Sequence, residues 1–375
     1  MREGHRIIDA DRHVLEPIGL WREYLEPEFR AGAPYVECPD SGTDSLPALP
    51  SLMLDGRPVQ NRYSARAKLE NMRALHLRSD STAAGWRPEL QLSAMDRTGV
   101  DQGLLFPTIT TFLLAVEELA PERAAAFARA YNTWLRDYCR LAPDRLLGVG
   151  VISLREPSEA VRELERVARL GWKVIAVLPN PLQRRTLGHP CYEPVWTACE
   201  KHSLAVAIHA STHTRLPTAG ADRFETRFAQ HACSHPMEQM MAFLALLEGG
   251  VFERHPSLRV AFLEAGCGWV PYWLWRLDEV LGSCSDEVSD NIRMKPSAYF
   301  RRQCFVSVEP EEPSLADVVR YLGPDNLLFG SDFPHPDHAL DSIDKTLALR
   351  TQLPGDFTRK LLWENPSRFF GQQGT

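Results

Sequence analysis

The chain has 375 residues, is 44% hydrophobic and 24% charged, and carries a formal charge of −7 from 42 basic and 49 acidic side chains. This is ordinary globular composition with enough apolar material for a large core. It offers no clustered basic face of the kind nucleic acid requires, since Arg184-Arg185 and Arg301-Arg302 are isolated pairs that read as solvated surface.

The first apolar run is Arg6–His13 (RIIDADRH). A long stretch, Pro17 to Gly99, follows it, with Pro, Gly and Ser clusters that include Ser41–Ser51. It is too long for a plain βα unit and reads as an insertion of helices and loops near the mouth of the fold. Further apolar runs come at Asp101–Thr108, Leu146–Leu154, Trp172–Asn180, Leu204–Ser211, Leu258–Gly266, Cys304–Glu309 and Asn326–Asp332, which makes eight in all. Most are continuous rather than alternating, as suits strands buried on both faces of a parallel sheet. Helical patterns at Leu114–Leu141, Ser158–Leu170, Glu193–His202, Met237–Arg254, Trp269–Leu281, Leu315–Leu322 and Asp341–Arg350 fall between them. Strand and helix alternating to eight strands predicts an α/β fold, a distorted (β/α)8 barrel of the TIM type with an insertion after strand 1. A doubly wound open sheet is the alternative, but no Gly-rich phosphate loop follows the first strand. Residues 1–375 are taken as one domain, and Gly371–Thr375 as a frayed tail.

The eight cysteines are scattered and include no CxxC pair, which argues against a zinc knuckle or a thioredoxin-type site. The N-terminal residues lead directly into the first strand, with no signal core of roughly 7–15 apolar residues. No segment nears the about 18 apolar residues a membrane span needs. The expectation is a soluble, cytoplasmic protein with no membrane partner.

In a barrel of this type the active site lies at the C-terminal ends of the strands. Strand one ends in Asp11-Arg12-His13, strand five in His209, strand six in Glu264 and strand eight in Asp332. Residues i and i+2 of a strand share a face, so Asp11 and His13 can both point inward while Arg12 points away. With His209 and Asp332 they make a mixed imidazole and carboxylate set for one divalent ion, better suited to zinc, manganese or iron than to calcium. Each residue also has an ordinary reading. A DxH pair occurs in plain strands, His209 fits a hydrogen-bonded core histidine, and Asp332 in Gly330-Ser331-Asp332-Phe333-Pro334 fits a turn aspartate. Their joint placement at three strand ends favours a metal site.

The same segments resemble the ACMSD-like, amidohydrolase-related branch of the amidohydrolase superfamily: IDADRHVLEP (8–17), PNPLQRRTLGHPCYEPVW (179–196), the stretch from Ser234 to Glu279, RRQCFVSVEP (301–310) and GSDFPHPD (330–337). The resemblance runs from the first strand to the last and covers the insertion least. It implies a distorted TIM barrel, a single zinc or manganese ion, zinc being the first expectation, a small-molecule substrate and a homodimer. It also implies Asp11, His13, His209 and Asp332 as ligands, with Asp11 where many relatives have His or Glu. Well-known decarboxylases of this group carry a histidine after strand six, where this chain has Glu264. Glu264 either replaces that acid/base group or is a neutral neighbour of the site. His235, in Ser234-His235-Pro236, either supplies the acid/base or opens a helix with Pro236 in its first turn. His335 is a further pocket candidate and Glu16 a weaker one.

The expected function is metal-assisted catalysis on a small carboxylated or acylated substrate. In hydrolysis, Asp332 takes a proton from activated water and His235 or Glu264 protonates the leaving group. In nonoxidative decarboxylation, Asp332 or His235 delivers a proton to the carbon that loses carbon dioxide. The competing expectation is a catalytically inert barrel that binds a ligand or partner.

Overall fold

The computed structural model describes residues 2–37, 51–59, 87–210, 214–335, 341–353 and 355–372. Eight strands pair in parallel in chain order: β1 Ile8–His13, β2 Gln102–Phe106, β3 Leu146–Val151, β4 Val174–Val177, β5 Ala205–His209, β6 Val260–Leu263, β7 Cys304–Val308 and β8 Leu327–Phe329. A parallel bridge from Arg12 to Phe333 brings the end of β8 back to β1, so the sheet is a nearly closed barrel. Sequential order with return to the first strand rules out the doubly wound alternative. Every predicted apolar run contains one of these strands.

Continuous apolar runs work here because successive side chains serve two different cores. Ile8, Leu104, Val149, Val174, Ala176, Ala205, Ala207, Ala261, Phe305 and Leu328 fill the barrel interior. The intervening residues, such as Ile175, Val206, Ile208, Phe262, Val306 and Phe329, pack under the helices. Phe369 and Phe370, from the terminal helix Asn365–Phe370, join the interior core and Phe305 meets the Phe369 ring at 5.5 Å.

The helices start where the sequence supplies first-turn prolines, as in Pro121–Cys139, Pro157–Arg169 and Pro88–Thr98. The predicted Leu114–Leu141 pattern is two elements, Ile109–Leu114 and Pro121–Cys139. The predicted Met237–Arg254 helix begins ten residues earlier, as Arg227–Glu248 followed by Val251–Arg254. The stretch after β1 was expected to hold only helices and loops. Its described parts include short helical turns, but also three antiparallel strands, Tyr35–Glu37, Ser51–Leu54 and Arg57–Pro58. Residues 38–50 and 60–86 of that expectation, and 373–375 of the expected tail, lie outside the described residues. Among the described residues no helix is long and apolar enough to cross a membrane.

Candidate metal centre

Strand parity alone would not turn Asp11 and His13 inward. Ile8 and Ala10 fill the barrel interior, so strict alternation would send residue 12 inward and residues 11 and 13 outward. The β1–β2 register prevents this. Asp9 pairs with Gly103 and Arg12 with Leu105, so β1 spends three residues where β2 spends two. This bulge reverses the parity. Asp11 and His13 then face the interior, and Arg12 goes to the helical side, where its guanidinium donates to Asp9 at 3.0 Å and to Gln91 of the helix Pro88–Thr98 at 2.9 Å.

The remaining strand ends converge on the same point. His209 continues the inward series of Ala205 and Ala207. Asp332 continues the series of Leu328 and Gly330 and adopts φ +53°. Glu264 has outward parity after Phe262, but a φ of +56° swings it back towards His209. A left-handed non-glycine residue costs roughly 1–2 kcal/mol, which the packing of two strand ends against the site sustains.

Four donor atoms meet. His13 Nε2 lies 3.2 Å from His209 Nε2, 3.4 Å from Asp11 Oδ1 and 3.2 Å from Asp332 Oδ1, and His209 Nε2 lies 3.4 Å from Asp11 Oδ1. Donors arranged tetrahedrally about an ion at roughly 2.1 Å are separated by about 3.4 Å, so these spacings fit one small divalent cation. Asp11 Oδ1 is buried and accepts no hydrogen bond, which is a further mark of a ligand atom. Asp11, His13 and His209 form the tight set, while Asp332 joins through His13 and makes a second set with His13 and His335.

Both imidazoles are held from behind. His13 Nδ1 is 3.0 Å from the Pro107 carbonyl, and His209 Nδ1 is 2.9 Å from the Ala210 carbonyl and 3.4 Å from Glu264 Oε2. With Nδ1 protonated on both rings, each Nε2 presents its lone pair to the centre. The Gln239 amide donates to the carbonyls of Ile208 and Leu263, just before His209 and Glu264. Asp9 accepts from the Ser331 amide at 2.9 Å and from its hydroxyl, tying β1 to the turn that carries Asp332. Gln91 completes the frame by donating to the His13 carbonyl at 3.1 Å. Sequence reasoning missed Asp9, Gln91 and Gln239, because a buried polar residue that holds backbone leaves no spacing signature.

The charges are strongly coupled. Burial would lower His209, but Glu264 and Asp11 outweigh it and push its pKa up to about 10. Burial and the neighbouring His335 bring His13 down to about 4. Burial drives Asp332 up to about 8 against the pull of His335, with Glu264 adding to the rise. Burial opposes ionisation of Glu264 too, yet His209 and His235 hold it well below the usual carboxylate range. The two imidazoles thus favour the ionised form of Glu264. Three carboxylates crowding His209 favour a positive charge at the centre.

His235 is buried, with Nε2 3.7 Å from Glu264 Oε2. It does not open a helix. The helix starts at Arg227, so Ser234 and His235 sit well inside it and Pro236 is an interior proline. His335 Nδ1 lies 2.6 Å from Asp332 Oδ1 as an ion pair, and its Nε2 is 3.0 Å from the Thr108 hydroxyl. Glu16 is not a pocket residue. Its carboxylate accepts the amides of Thr108, Ile109 and Thr110 and the Thr110 hydroxyl, fixing the start of the helix Ile109–Leu114.

Residues 8–372 match the family model described as Amidohydrolase. The chain belongs to the amidohydrolase family. A curated relative is 2-amino-3-carboxymuconate-6-semialdehyde decarboxylase of Dictyostelium discoideum, 25% identical over 67% of this chain and 67% of its own length. Gamma-resorcylate decarboxylase of Rhizobium sp. (strain MTP-10005) is 26% identical over 69% of this chain and 80% of its own. Among solved structures, 5-carboxyvanillate decarboxylase of Novosphingobium aromaticivorans DSM 12444, complexed with manganese and 4-hydroxy-3-methoxy-5-nitrobenzoic acid, superposes with a TM-score of 0.72 at 21% identity, covering 99% of this chain and 97% of that one.

Proposed function

We propose that this protein is a metal-dependent carboxy-lyase that removes carbon dioxide, without oxidation, from a small aromatic or unsaturated carboxylic acid. The observation that carries the reading is the convergence of Asp11, His13, His209 and Asp332 at one end of an amidohydrolase-family barrel. Decarboxylation is favoured over hydrolysis because the relatives that match over most of the chain are decarboxylases. The inert-barrel reading does not explain four converging donors, two of them imidazoles oriented by the Pro107 and Ala210 carbonyls. The whole chain, 1–375, is taken as a single catalytic unit.

Asp11, His13, His209 and Asp332 would hold the ion. Two carboxylates beside two imidazoles suit manganese as well as zinc, and the manganese in the Novosphingobium structure moves the first choice from zinc to manganese. When bound, the ion supplies Lewis-acid polarisation of substrate oxygens. The protein supplies the proton. As the carbon–carbon bond breaks, its electron pair stays on the ring or alkene carbon, and Asp332 delivers a proton there to form the carbon–hydrogen bond. His335, with Nδ1 2.6 Å from Asp332 Oδ1, sits beside that carboxyl group and balances its charge. Glu264, with His235 behind it, forms a second acid–base pair on the β6 side of His209.

Hydrolysis is the second reading, because the resemblance drawn from the sequence implies a histidine where this chain has Glu264. The two are separated by offering the manganese-loaded enzyme aromatic and unsaturated acids, esters and amides, and measuring released carbon dioxide against released alcohol or amine. Carbon dioxide is expected. Glu264→Gln and His235→Asn then divide the roles: equal losses in both mean one pair, whereas loss in Glu264→Gln alone removes His235 from the chemistry. Alcohol or amine release without carbon dioxide overturns the carboxy-lyase reading.

A further inference from the structure

At the opposite end of the barrel from the metal centre, a cavity of about 360 Å³ lies among the beginnings of β3 and β4, the end of the helix Pro121–Cys139 and the terminal helix Asn365–Phe370. That volume falls within the roughly 300–1,000 Å³ of small-molecule sites. Its floor is apolar, and Leu104 of β2, Leu146 of β3 and Phe370 are each at most 5% exposed there. Leu147 and Trp172, both half-buried, carry the apolar surface outwards. Gly148 lets the indole lie against β3, since a Cβ there would fall 2.3 Å from the Trp172 ring. Protein interiors leave few voids larger than a water molecule, so an open apolar space of this size is a feature to be explained.

The rim is cationic. Arg136 and Arg140 come from the end of the helix and Lys173 from the residue before β4, and all three line the cavity. Their side chains reach solvent, with Arg136 45% and Arg140 78% exposed and Lys173 exposed as well. Arg136 donates to Asp137 Oδ1 at 2.8 Å, and Arg140 Nη1 is 4.0 Å from the same oxygen. Among the described residues Lys173 has no ion pair, and no Asp or Glu lines the cavity. Three cations therefore share one carboxylate and leave a positive surplus. Cations at the carbonyl end of a helix offset its dipole, which accounts for Arg136 and Arg140 by themselves. It does not account for the open apolar floor beneath them.

We propose that this cavity is a binding site for a small amphipathic monoanion, a medium-chain carboxylate. Its tail lies on Leu104, Leu147 and Phe370, and its carboxylate stays at the rim with Lys173 and Arg140. The site is separate from the metal centre and independent of the reaction assigned there. At roughly 30 Å³ for each heavy atom, the share of a water molecule in the liquid, the cavity takes on the order of ten non-hydrogen atoms, the size of octanoate. Desolvation sets the orientation. A carboxylate sunk among the leucines would lose its water without gaining a partner, whereas at the rim it keeps water and meets the surplus charge.

The test is calorimetry of the manganese-loaded full chain with octanoate, which should bind saturably at submillimolar concentration. Each buried methylene tightens binding about 4-fold, so octanoate should exceed hexanoate by about 15-fold. An exposed ion pair contributes up to about 5-fold, and two cations face the carboxylate, so octan-1-ol should bind about 10-fold more weakly than octanoate. Lys173→Glu combined with Arg140→Glu should weaken octanoate by about 10-fold or more and leave octan-1-ol unchanged. Both side chains are exposed, so the fold is spared. Removing manganese should leave octanoate affinity as it was, whereas a carboxylate held at the metal centre would be released. The proposal is overturned if octanoate fails to saturate, if its binding is lost with manganese, if octan-1-ol binds equally well, or if the double variant binds octanoate as the unaltered chain does.

Discussion

Gly330→Ala should damage the metal centre without replacing a ligand. Gly330 lies where β8 passes β1, and a methyl group there would sit 2.7 Å from Asp11 Cβ, with Asp11 Cα and Cγ each at 3.7 Å. Two non-bonded carbons need about 3.5–4.0 Å, so the strands must part by roughly an ångström. Asp11 has no freedom to yield, because Asp9 is tied to Ser331 and the Asp11 carbonyl accepts the Asp332 amide at 2.8 Å. Overpacking of this kind costs about 1–3 kcal/mol. Metal sites lose function when ligands move beyond about 0.5 Å, and Asp11 and Asp332 are the two that would move. Manganese affinity, measured by calorimetry, should fall about 10- to 100-fold, the range seen when groups supporting metal ligands are disturbed. Thermal denaturation with and without manganese separates the two effects. A ligand at 100 times its Kd stabilises by about 2.7 kcal/mol, and the variant should lose most of that increment in addition to a lower metal-free Tm. A variant that loses metal-free stability but keeps the full increment and the original Kd would refute the claim that Gly330 sets the β1–β8 spacing for the ion.

Four further substitutions test the centre. His209→Ala and Asp11→Ala should each strip the ion, leaving well under one manganese per chain by elemental analysis, and full occupancy in both would remove them from the ligand set. Asp332→Asn keeps one oxygen donor but loses the proton, so it should retain much of the metal while turnover drops by about 10²–10⁴-fold, and near-normal turnover would reassign the proton to another group. Arg12→Met leaves Asp9 buried beside Ser331 without its cation, and chemical denaturation should show a loss of about 3–5 kcal/mol. A change under about 1 kcal/mol would mean the Asp9–Arg12 pair contributes little beyond its own desolvation.

Much of this was legible in the sequence, and the reason is the same throughout. A strand buried on both faces must be a short continuous apolar run, so each of the eight strands was visible where it lies. Ionisable residues that interrupt such runs at their C-terminal ends stood out for the same reason, as His209 after Ala205–Ile208 illustrates. The start of the helix Arg227–Glu248 was not legible, because Pro236 is a strong start signal and the seven helical residues that precede Ser234 carry no matching apolar period. Of the three short antiparallel strands after β1, Tyr35–Glu37 is exposed throughout and Ser51–Leu54 buries two consecutive residues, Met53 and Leu54, so neither shows the alternation that marks a half-buried strand.

The least legible feature is also the one on which the site depends. Spacing by two correctly pairs Asp11 with His13, but it is silent about which face they share. Ile8 and Ala10 vote for the wrong one, and only the extra residue between Asp9 and Arg12 changes the outcome. The bulge has a physical cause in the groups around it. Arg12 needs room on the helical side, and Gly103 provides it: a Cβ there would lie 2.6 Å from the Arg12 side chain. Arg12 also needs acceptors, and Asp9 and Gln91 supply them, with the Phe333 ring 4.4 Å from the guanidinium carbon. An arginine turned into the barrel interior would give up the Asp9 and Gln91 acceptors that hold it on the helical side and leave Asp9 buried without its cation. The energetic preference that seats Arg12 among Asp9, Gln91 and Phe333 is therefore the same preference that turns Asp11 and His13 towards the ion, and it is set by residues far apart in the chain, Gly103, Gln91 and Phe333, that no local pattern in β1 could reveal.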